Sequence, residues 1–503
     1  MGIPFYFSQI TKNHPDIIQD RLDLHEVNIF LDFNCAIHYC NKLLKDDCNK
    51  NGVSHDSSDY ESLLIQKCSA YVNDILEPLD VHSLFIAIDG VVPCAKMAQQ
   101  RKRRYLSVFR NELIPSSSWD SNAISPGTQF MKKLNAQLHS HQFNAKNVII
   151  SDSTEPGEGE TKIFNFIKSN NLQSKNVVVY GLDADLIMLS MLIENENTLF
   201  LMRESEFYQH GILSKFLYMN IPLLKSHLIH HIHSFKSNSR LQYPIQNYVT
   251  LCMLIGNDFI PTLSYLKIKN KSIDYLLHTL IKSISEDNVG ELIYFDEGLS
   301  KWRINWIVFQ RLLTDLANFE DDEFCKIHNN YYRTSKEFQS ESDKIDFYGI
   351  FKKPRDSIFP NKDGWRLRYY STLFRNSSID DICKTYILGI KWNVEYYFNQ
   401  KCFTEWFYKH EYSPTISDLN IFLTVTDPDK LYLPEGEHYV SEDVHLCSIL
   451  PKQSHHLLCD TFRKKMCQLK YAKLFPVKYE IQTYLKHYLH DCSPLIPPLK
   501  MPL

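Results

Sequence analysis

An α/β fold, with a mostly parallel sheet flanked by helices and a largely helical second region packed on it, is what this sequence predicts. Three observations predict it. Short β-branched or apolar runs recur between Val27 and Tyr180, segments of helical spacing separate them, and helix-patterned sequence dominates from about Leu213. Continuous apolar runs suit strands buried on both faces, and their alternation with helices implies parallel strands wrapped on both sides.

The elements follow in order. Val27–Leu31 reads as a strand ending at Asp32, and Tyr60–Leu76 reads as a helix. Leu84–Ile88 is a strand running into Asp89, followed by a basic helix opened by Pro93. Val148–Ile150 leads into the acidic loop SDSTEPGEGE, and Thr161–Ile167 has helical spacing. Val177–Tyr180 leads to Asp183 and Asp185. From Leu213 to Leu280 the pattern is helix-rich and contains LCMLIGNDFIP. The stretch FEDDEFCKIHNN and the following TSKEFQSESDK are polar and read as a linker or mobile insertion. Aromatic-rich helical sequence resumes near Trp365. These breaks divide the chain into residues 1–320, a linker over 321–362, and a second region over 363–503.

At 503 residues the chain exceeds the size of a single core, so two domains are expected. Its 55 Lys and Arg against 59 Asp and Glu give a net charge of −4, so any attraction for nucleic acid must be local. Thirteen scattered cysteines without a C-x-x-C pair argue for reduced, buried thiols over disulfides or structural zinc. The N-terminus lacks the pattern of a secretory signal, and the longest apolar stretch is interrupted by Asp183 and Asp185. No membrane association is expected.

In open α/β sheets the functional crevice lies at the carboxyl ends of the strands. Seven acids fall at such ends or in turns: Asp32, Asp89, Glu158, Glu160, Asp183, Asp185 and Asp258. Gly157 and Gly159 allow an unusual backbone path around the Glu158–Glu160 pair. Gathered in one crevice, the acids would repel strongly: two like charges about 4 Å apart cost on the order of 4 kcal/mol at an effective dielectric near 20. Protons or divalent cations would relieve this, and an all-oxygen donor set favours Mg2+ or Mn2+ over zinc. Two such ions could assist phosphodiester hydrolysis. The alternative is a set of helix caps and solvated loop residues, and the carboxylates alone would equally suit a phosphatase or another metal hydrolase.

The segment DGVVPCAKMAQQRKRRY narrows the substrate. Lys96, Gln100, Arg103 and Arg104 fall on one helical face, and a cation, an amide and two guanidiniums there can hold a terminal phosphate. Arg101 and Lys102 point elsewhere. A basic run is commonly a solvated face; its place directly after an acid-ended strand argues for a pocket. Beside the metals, such a pocket would fix the first nucleotide, exclude capped ends and accept each new 5′-monophosphate after a cut. The histidines His230, His231 and His233 read as surface residues, since adjacent helical side chains diverge by about 100°.

At this point the motifs resemble the Xrn family of 5′→3′ exoribonucleases. The matching residues are MGIPFYF at the start, LDFNCAIH at 31–38, IDGVVPCAKMAQQRKRRY at 88–105 and DSNAISPGTQFM at 120–131. EPGEGETKI at 155–163, GLDADLIML at 181–189, LMRE at 201–204 and IGNDFIP at 255–261 continue it. Weaker similarity resumes at ILGIKWNVEYYF and EYSPTISDL. The resemblance implies a PIN/flap-nuclease-like sheet and a magnesium- or manganese-dependent 5′→3′ exoribonuclease, with two ions held by the seven acids. It implies that Lys96, Gln100, Arg103 and Arg104 bind the 5′-monophosphate of single-stranded RNA, that His38 and Trp406 stack the first bases, and that the second region encloses the active site. A monomer acting in mRNA decay after decapping is expected. Against the family's large members, the long C-terminal extensions are expected to be lacking, so partners recruited by them are not expected; the lack of a Cys-rich zinc knuckle favours the cytoplasm over the nucleus. Two other readings remain: a catalytically inactive module that captures 5′-phosphorylated RNA, and a flap-type structure-specific nuclease. The first would be expected to lose metal-binding acids, and all seven are present; the second would be expected to carry a Gly-Cys-Asp-Tyr segment where Gly256-Asn257-Asp258-Phe259 stands.

Overall fold

The computed structural model describes residues 6–499 except 53–56, 115–118, 171, 173–174, 182, 195–197, 206–213, 236–240, 268–271, 286–289, 375–376 and 437, so the opening MGIPF and Leu182 of the family-like segments lie outside the described residues. Seven strands form the central sheet: β1 (Ile18–Gln19), β2 (Val27–Asp32), β3 (Val81–Ala87), β4 (Asn147–Ser151), β5 (Val177–Tyr180), β6 (Leu199–Glu204) and β7 (Phe216–Asn220). Their order is β1-β7-β6-β5-β2-β3-β4. The run from β6 to β4 is parallel, while β7 pairs antiparallel with β6 and β1 with β7. The four strands expected from sequence are β2 to β5. Leu199–Glu204 and Phe216–Asn220 are strands that the pattern did not separate from helix, because short apolar runs carry no distinctive period.

Side chains alternate across the sheet. Ile29 and Leu31 share one face with Val178, Tyr180, Phe200 and Met202; Phe30, Val177, Val179, Leu199 and Leu201 share the other. Both faces are covered at the central strands, which is why β2 and β5 read as unbroken apolar runs, while Val148 and Ile149 of the edge strand β4 are exposed. After α1 (Tyr6–Asn13), the helices α2 (Phe33–Asn51) and α3 (Ser57–Leu76) pack on the first face. Next come α4 (Cys94–Leu113), carrying the basic run, and α5 (Gln129–Ser140), which joins α2 and α3. The opposite face is covered by α6 (Gly159–Ser169), α7 (Ala184–Met191), α8 (Ile221–Ser234), α9 (Pro244–Leu254) and α10 (Ser272–Ser285). On α8, His231 pairs with Asp274 at 3.1 Å.

A hairpin of β8 (Ile293–Asp296) and β9 (Lys301–Ile304) precedes α11 (Trp306–Ala317). The stretch read as a linker or mobile insertion contains α12 (Glu320–Arg333), α13 (Glu341–Asp346) and α14 (Tyr348–Phe351). Phe324, Ile327, His328 and Tyr331 form a buried stripe on α12, and Tyr331 donates its hydroxyl hydrogen bond to the carbonyls of Gly349 and Thr483. Glu320 is fully buried because it accepts the Ile416 and Ser417 N–H groups at a helix start, plus two hydroxyls. The charge that suggested a linker is partly a buried cap and partly the solvent face of an amphipathic helix. Beyond it lie α15 (Trp365–Leu373), α16 (Ile379–Tyr397), α17 (Ile416–Val425), α18 (Glu442–Ile449) and α19 (Asp460–Cys467), with a short ladder of β10 (Ile481–Gln482) and β11 (Ser493–Pro494).

One hydrophobic cluster runs from β5 and α7 through α9 into α16 and α17, so the second region packs onto the layer below the sheet. The thirteen cysteines are thiols, and only Cys459 and Cys467 of them are exposed. Among the described residues, no helix is long and apolar enough to cross a membrane.

Candidate active site

The chain leaves β2 towards β3 on one side and later returns to place β5 on the other, so the sheet order reverses at β2. A crevice opens at the carboxyl ends of strands beside such a reversal. Asp32 is the last residue of β2 and Asp89 lies two residues past β3. Glu158 and Asp183 occupy the N-cap positions of α6 and α7, with Glu160 and Asp185 in the first turns of the same helices. Helix N-termini favour anions, which offsets part of the cost of crowding these carboxylates. Asp258 arrives from the loop after α9, where Asn257 Oδ1 accepts the N–H groups of Phe259 and Ile260 at 3.0 Å each.

Glycine spacing makes the approach possible. Gly157 has φ +110°, a conformation that L side chains rarely adopt. Gly159 is needed for room: a Cβ there would lie 2.9 Å from Asp32 Oδ1 and 3.5 Å from Asp89 Oδ1. Its N–H donates to Asp89 Oδ1 at 2.7 Å.

The electrostatics follow from burial and mutual repulsion. Burial, then the charges of Asp89 and Asp183, push Asp32 up to about 8. Burial and Asp258 raise Asp185 to about 7, and burial with Asp185 and Glu158 nearby holds Glu160 well above its ordinary value. Glu160 Oε1 is buried without a hydrogen-bond partner among the described residues. The Lys96 ammonium lies 2.6 Å from Glu158 Oε2 and 3.1 Å from Asp258 Oδ2. Burial penalises its charge, but Glu158, Asp258 and Glu160 outweigh that and hold its pKa well above normal. Among the described residues no three metal-ligating side chains stand as a ready-made cage; Lys96 sits among them as resident counter-charge. The orphaned Glu160 oxygen, the raised pKa values of Asp32, Glu160 and Asp185 and the all-oxygen donor set fit a hard divalent cation.

The basic face meets the acids in one cleft of about 490 Å³. Asp32, Asp89, Glu158, Glu160 and Asp183 line it, as do Lys96, Gln100, Arg103 and Arg104. Asp258 joins through Lys96, and Arg103 Nη2 lies 3.7 Å from the same carboxylate. Gln100 Oε1 and Arg103 Nη2 are buried without hydrogen-bond partners among the described residues. Arg101 and Lys102 do point away: Arg101 donates to the Ser448 and Leu474 carbonyls, and Lys102 pairs with Glu411. His38, on α2, lines the cleft, and its ring reaches solvent. Enclosure by the walls and the Arg104 and Arg103 charges push its pKa down to about 4, which keeps the ring neutral.

Trp406 is not brought to this cleft. It is 5% exposed, lies 5.6 Å from the Trp392 ring and rests against Gly389, so it is a core residue in this structure. Sequence reasoning also missed Tyr396 and Tyr397 on α16, whose hydroxyls donate to Glu158 Oε1 at 2.7 Å and Asp185 Oδ1 at 3.1 Å. Their only signal was membership of the aromatic run KWNVEYYF. Lys162 was missed as well; it donates to the Ile88 and Asp152 carbonyls and ties the loops after β3 and β4 together. A larger cleft of about 610 Å³, between β9 and α16, contains none of the seven acids.

The comparisons agree with this architecture. A family model described as "XRN 5'-3' exonuclease N-terminus" matches residues 1–205, and one described as "Xrn1 helical domain" matches 240–348 and 330–489. The chain is 25% identical to 5'-3' exoribonuclease 1 of Homo sapiens across 91% of this chain and 31% of that protein. It is 24% identical to 5'-3' exoribonuclease 1 of Saccharomyces cerevisiae across 93% of this chain and 40% of that one. It is 24% identical to 5'-3' exoribonuclease 2 of Arabidopsis thaliana across 97% and 65% respectively. The chain thus spans well under half the length of the first two. With both conserved regions matched in order, this chain belongs to the Xrn family.

Proposed function

We propose that the protein is a divalent-metal-dependent 5′→3′ exoribonuclease that degrades single-stranded RNA from a 5′-monophosphate end. The products are nucleoside 5′-monophosphates, and the cellular context is decay of decapped mRNA. The observation that carries this reading is the meeting of the acid cluster and the α4 basic face in one cleft. The names of the relatives support the same reaction class.

Asp32, Asp89, Glu158, Glu160, Asp183, Asp185 and Asp258 would hold Mg2+ or Mn2+, two ions on our reading. Bound there, such ions acidify water and stabilise the departing oxygen. The chain's own groups do the rest. Gln100, Arg103 and Arg104, with Lys96 on the same helix face, would grip the terminal phosphate. The neutral His38 ring offers a stacking face to the first base, which suits a sequence-independent enzyme because every base has a π-face. Tyr396 and Tyr397 hold two of the carboxylates from the second region. Each cut leaves a new 5′-monophosphate that can enter the same pocket, so processivity follows.

The test is one RNA, 3′-labelled, carrying a 5′-monophosphate, 5′-hydroxyl or 5′-triphosphate, incubated with Mg2+ and the protein. Rapid loss of the monophosphate form alone, with release of nucleoside 5′-monophosphates, is expected. Equal loss of all three would overturn end recognition, and binding without cleavage would overturn the catalytic reading.

A further inference from the structure

The segment DSNAISPGT, residues 120–128, contributes none of the acids or α4 cations, yet it forms part of the cleft wall through Ser121, Asn122 and Ile124. It is held by its own hydrogen bonds. The Asp120 carboxylate accepts the Asn122 N–H at 3.0 Å. The Thr128 hydroxyl donates to the Ala123 carbonyl at 2.6 Å, and its oxygen caps α5 by accepting the Met131 N–H. The loop is also fixed to the second region: Asn122 Nδ2 donates to Ser454 Oγ at 3.0 Å. Gly127, at φ +88°, brings the backbone so close to α18 that a Cβ would lie 3.1 Å from that of Glu442.

At the centre of this loop is Ser125, 1% exposed. Its hydroxyl donates to the Asn122 carbonyl at 2.7 Å. A hydroxyl has one proton, so the oxygen is left to act as an acceptor. Arg104 donates to it twice, from Nε at 3.2 Å and from Nη2 at 2.6 Å, while its Nη1 donates to the Gln100 carbonyl at 3.3 Å. The guanidinium plane is therefore fixed edge-on to the loop. N–H groups on Nη1 and Nη2 remain available in a side chain that lines the cleft.

We propose that Ser125 is a positioning residue that aims the Arg104 fork at the RNA 5′-phosphate and thereby sets the preference for 5′-monophosphate ends. The inference rests on the functional reading above and deepens it. A bidentate fork is useful only in a fixed orientation, and a lone guanidinium among Asp89, Asp120 and Arg103 has competing directions to turn. Asn122 and Ser454 extend the constraint, so the second region helps to fix the pocket it does not line.

The experiment compares KM and kcat for 5′-monophosphate and 5′-hydroxyl forms of one RNA in wild type, Ser125→Ala, Ser125→Thr, Arg104→Lys and the Ser125→Ala/Arg104→Lys double variant. Ser125→Ala should raise KM for the monophosphate RNA by about tenfold, the scale of one charge-assisted hydrogen bond, with kcat changed less than about twofold. The 5′-hydroxyl RNA should be unaffected, so the end preference falls by the same factor, and Ser125→Thr should restore it. In the Arg104→Lys background, Ser125→Ala should add nothing further. Equal losses on both RNAs, or additive losses in the double variant, would overturn the proposal by showing a general structural role. If Ser125→Ala does not fold, the comparison of Ser125→Thr with wild type decides: a retained hydroxyl with lost preference overturns it. A wild type without end preference would overturn the functional reading itself, whereas a wild-type preference kept in Ser125→Ala would overturn only this inference.

Discussion

Replacing Tyr396 by Phe removes one oxygen and tests whether the second region controls the acid cluster. The Tyr396 hydroxyl contacts Glu158 Oε1 and Thr161 Oγ1, both at 2.7 Å, while Lys96 holds the other Glu158 oxygen. Burial and the nearby Glu158 and Glu160 charges keep the phenol pKa well above normal, so it remains a donor at any working pH. A hydrogen bond to a charged group is worth about 1.5–3 kcal/mol, and each 1.4 kcal/mol or so is a factor of ten. Loss of the donor should therefore weaken metal binding by about 10–100-fold, the range typical of partners that orient ligands. Tyr397→Phe, which removes a longer contact of 3.1 Å, should sit at the lower end. Calorimetric Mn2+ titration together with single-turnover cleavage at limiting metal reads this directly. Metal affinity and cleavage both within about twofold of wild type would refute the reasoning, as would a loss of thermal stability with metal affinity intact.

Other consequences follow from the same geometry. Asp32 at about 8 and Asp185 at about 7 keep protons that the unfolded chain releases near 4, so their contribution to stability is full below about pH 4 and is lost as pH rises through 7 and 8. In EDTA, Tm should fall from pH 6 to pH 8, and Mn2+ should recover more of it at pH 8; a metal-induced gain independent of pH would contradict this. Lys96→Met leaves buried Glu158 and Asp258 without their cation and should cost about 3–5 kcal/mol in denaturant unfolding with EDTA present. The same variant should bind Mn2+ more tightly, because the competing ammonium is gone. Trp406→Ala should cost about 3–5 kcal/mol of stability as a core truncation. His38→Ala should leave Tm unchanged and weaken RNA binding by about 1–3 kcal/mol, measured by fluorescence anisotropy in EDTA.

Much of this site was legible because burial and charge leave marks along the chain. Strands β2 and β5 are buried on both faces and β3 from Leu84 on, so they read as apolar runs, and an acid directly after such a run stands out; the edge strand β4 reads the same way although its Val148 and Ile149 are exposed. The face of α4 was legible from helical periodicity alone. What escaped depended on contacts distant in sequence. Tyr396 lies 238 residues from Glu158, and nothing in KWNVEYYF says which hydroxyl will meet a carboxylate. Lys96 was placed with the phosphate ligands by its helix face, while the Asp258 loop, 162 residues away, draws its ammonium into the acids. In α12 the acidic first turn hid the stripe of Phe324, Ile327, His328 and Tyr331. The buried cap made by Glu320 cannot be told from a surface acid without the start of α17 beside it.

The most direct test of the central claim is cleavage of a linear 5′-monophosphorylated RNA and its covalently closed circular form, each with Mg2+ and with EDTA, by wild type and Asp183→Asn. The account predicts loss of the linear RNA only, only with Mg2+, and only with wild type. Cutting of the circle, cutting in EDTA, or undiminished cutting by Asp183→Asn would contradict it.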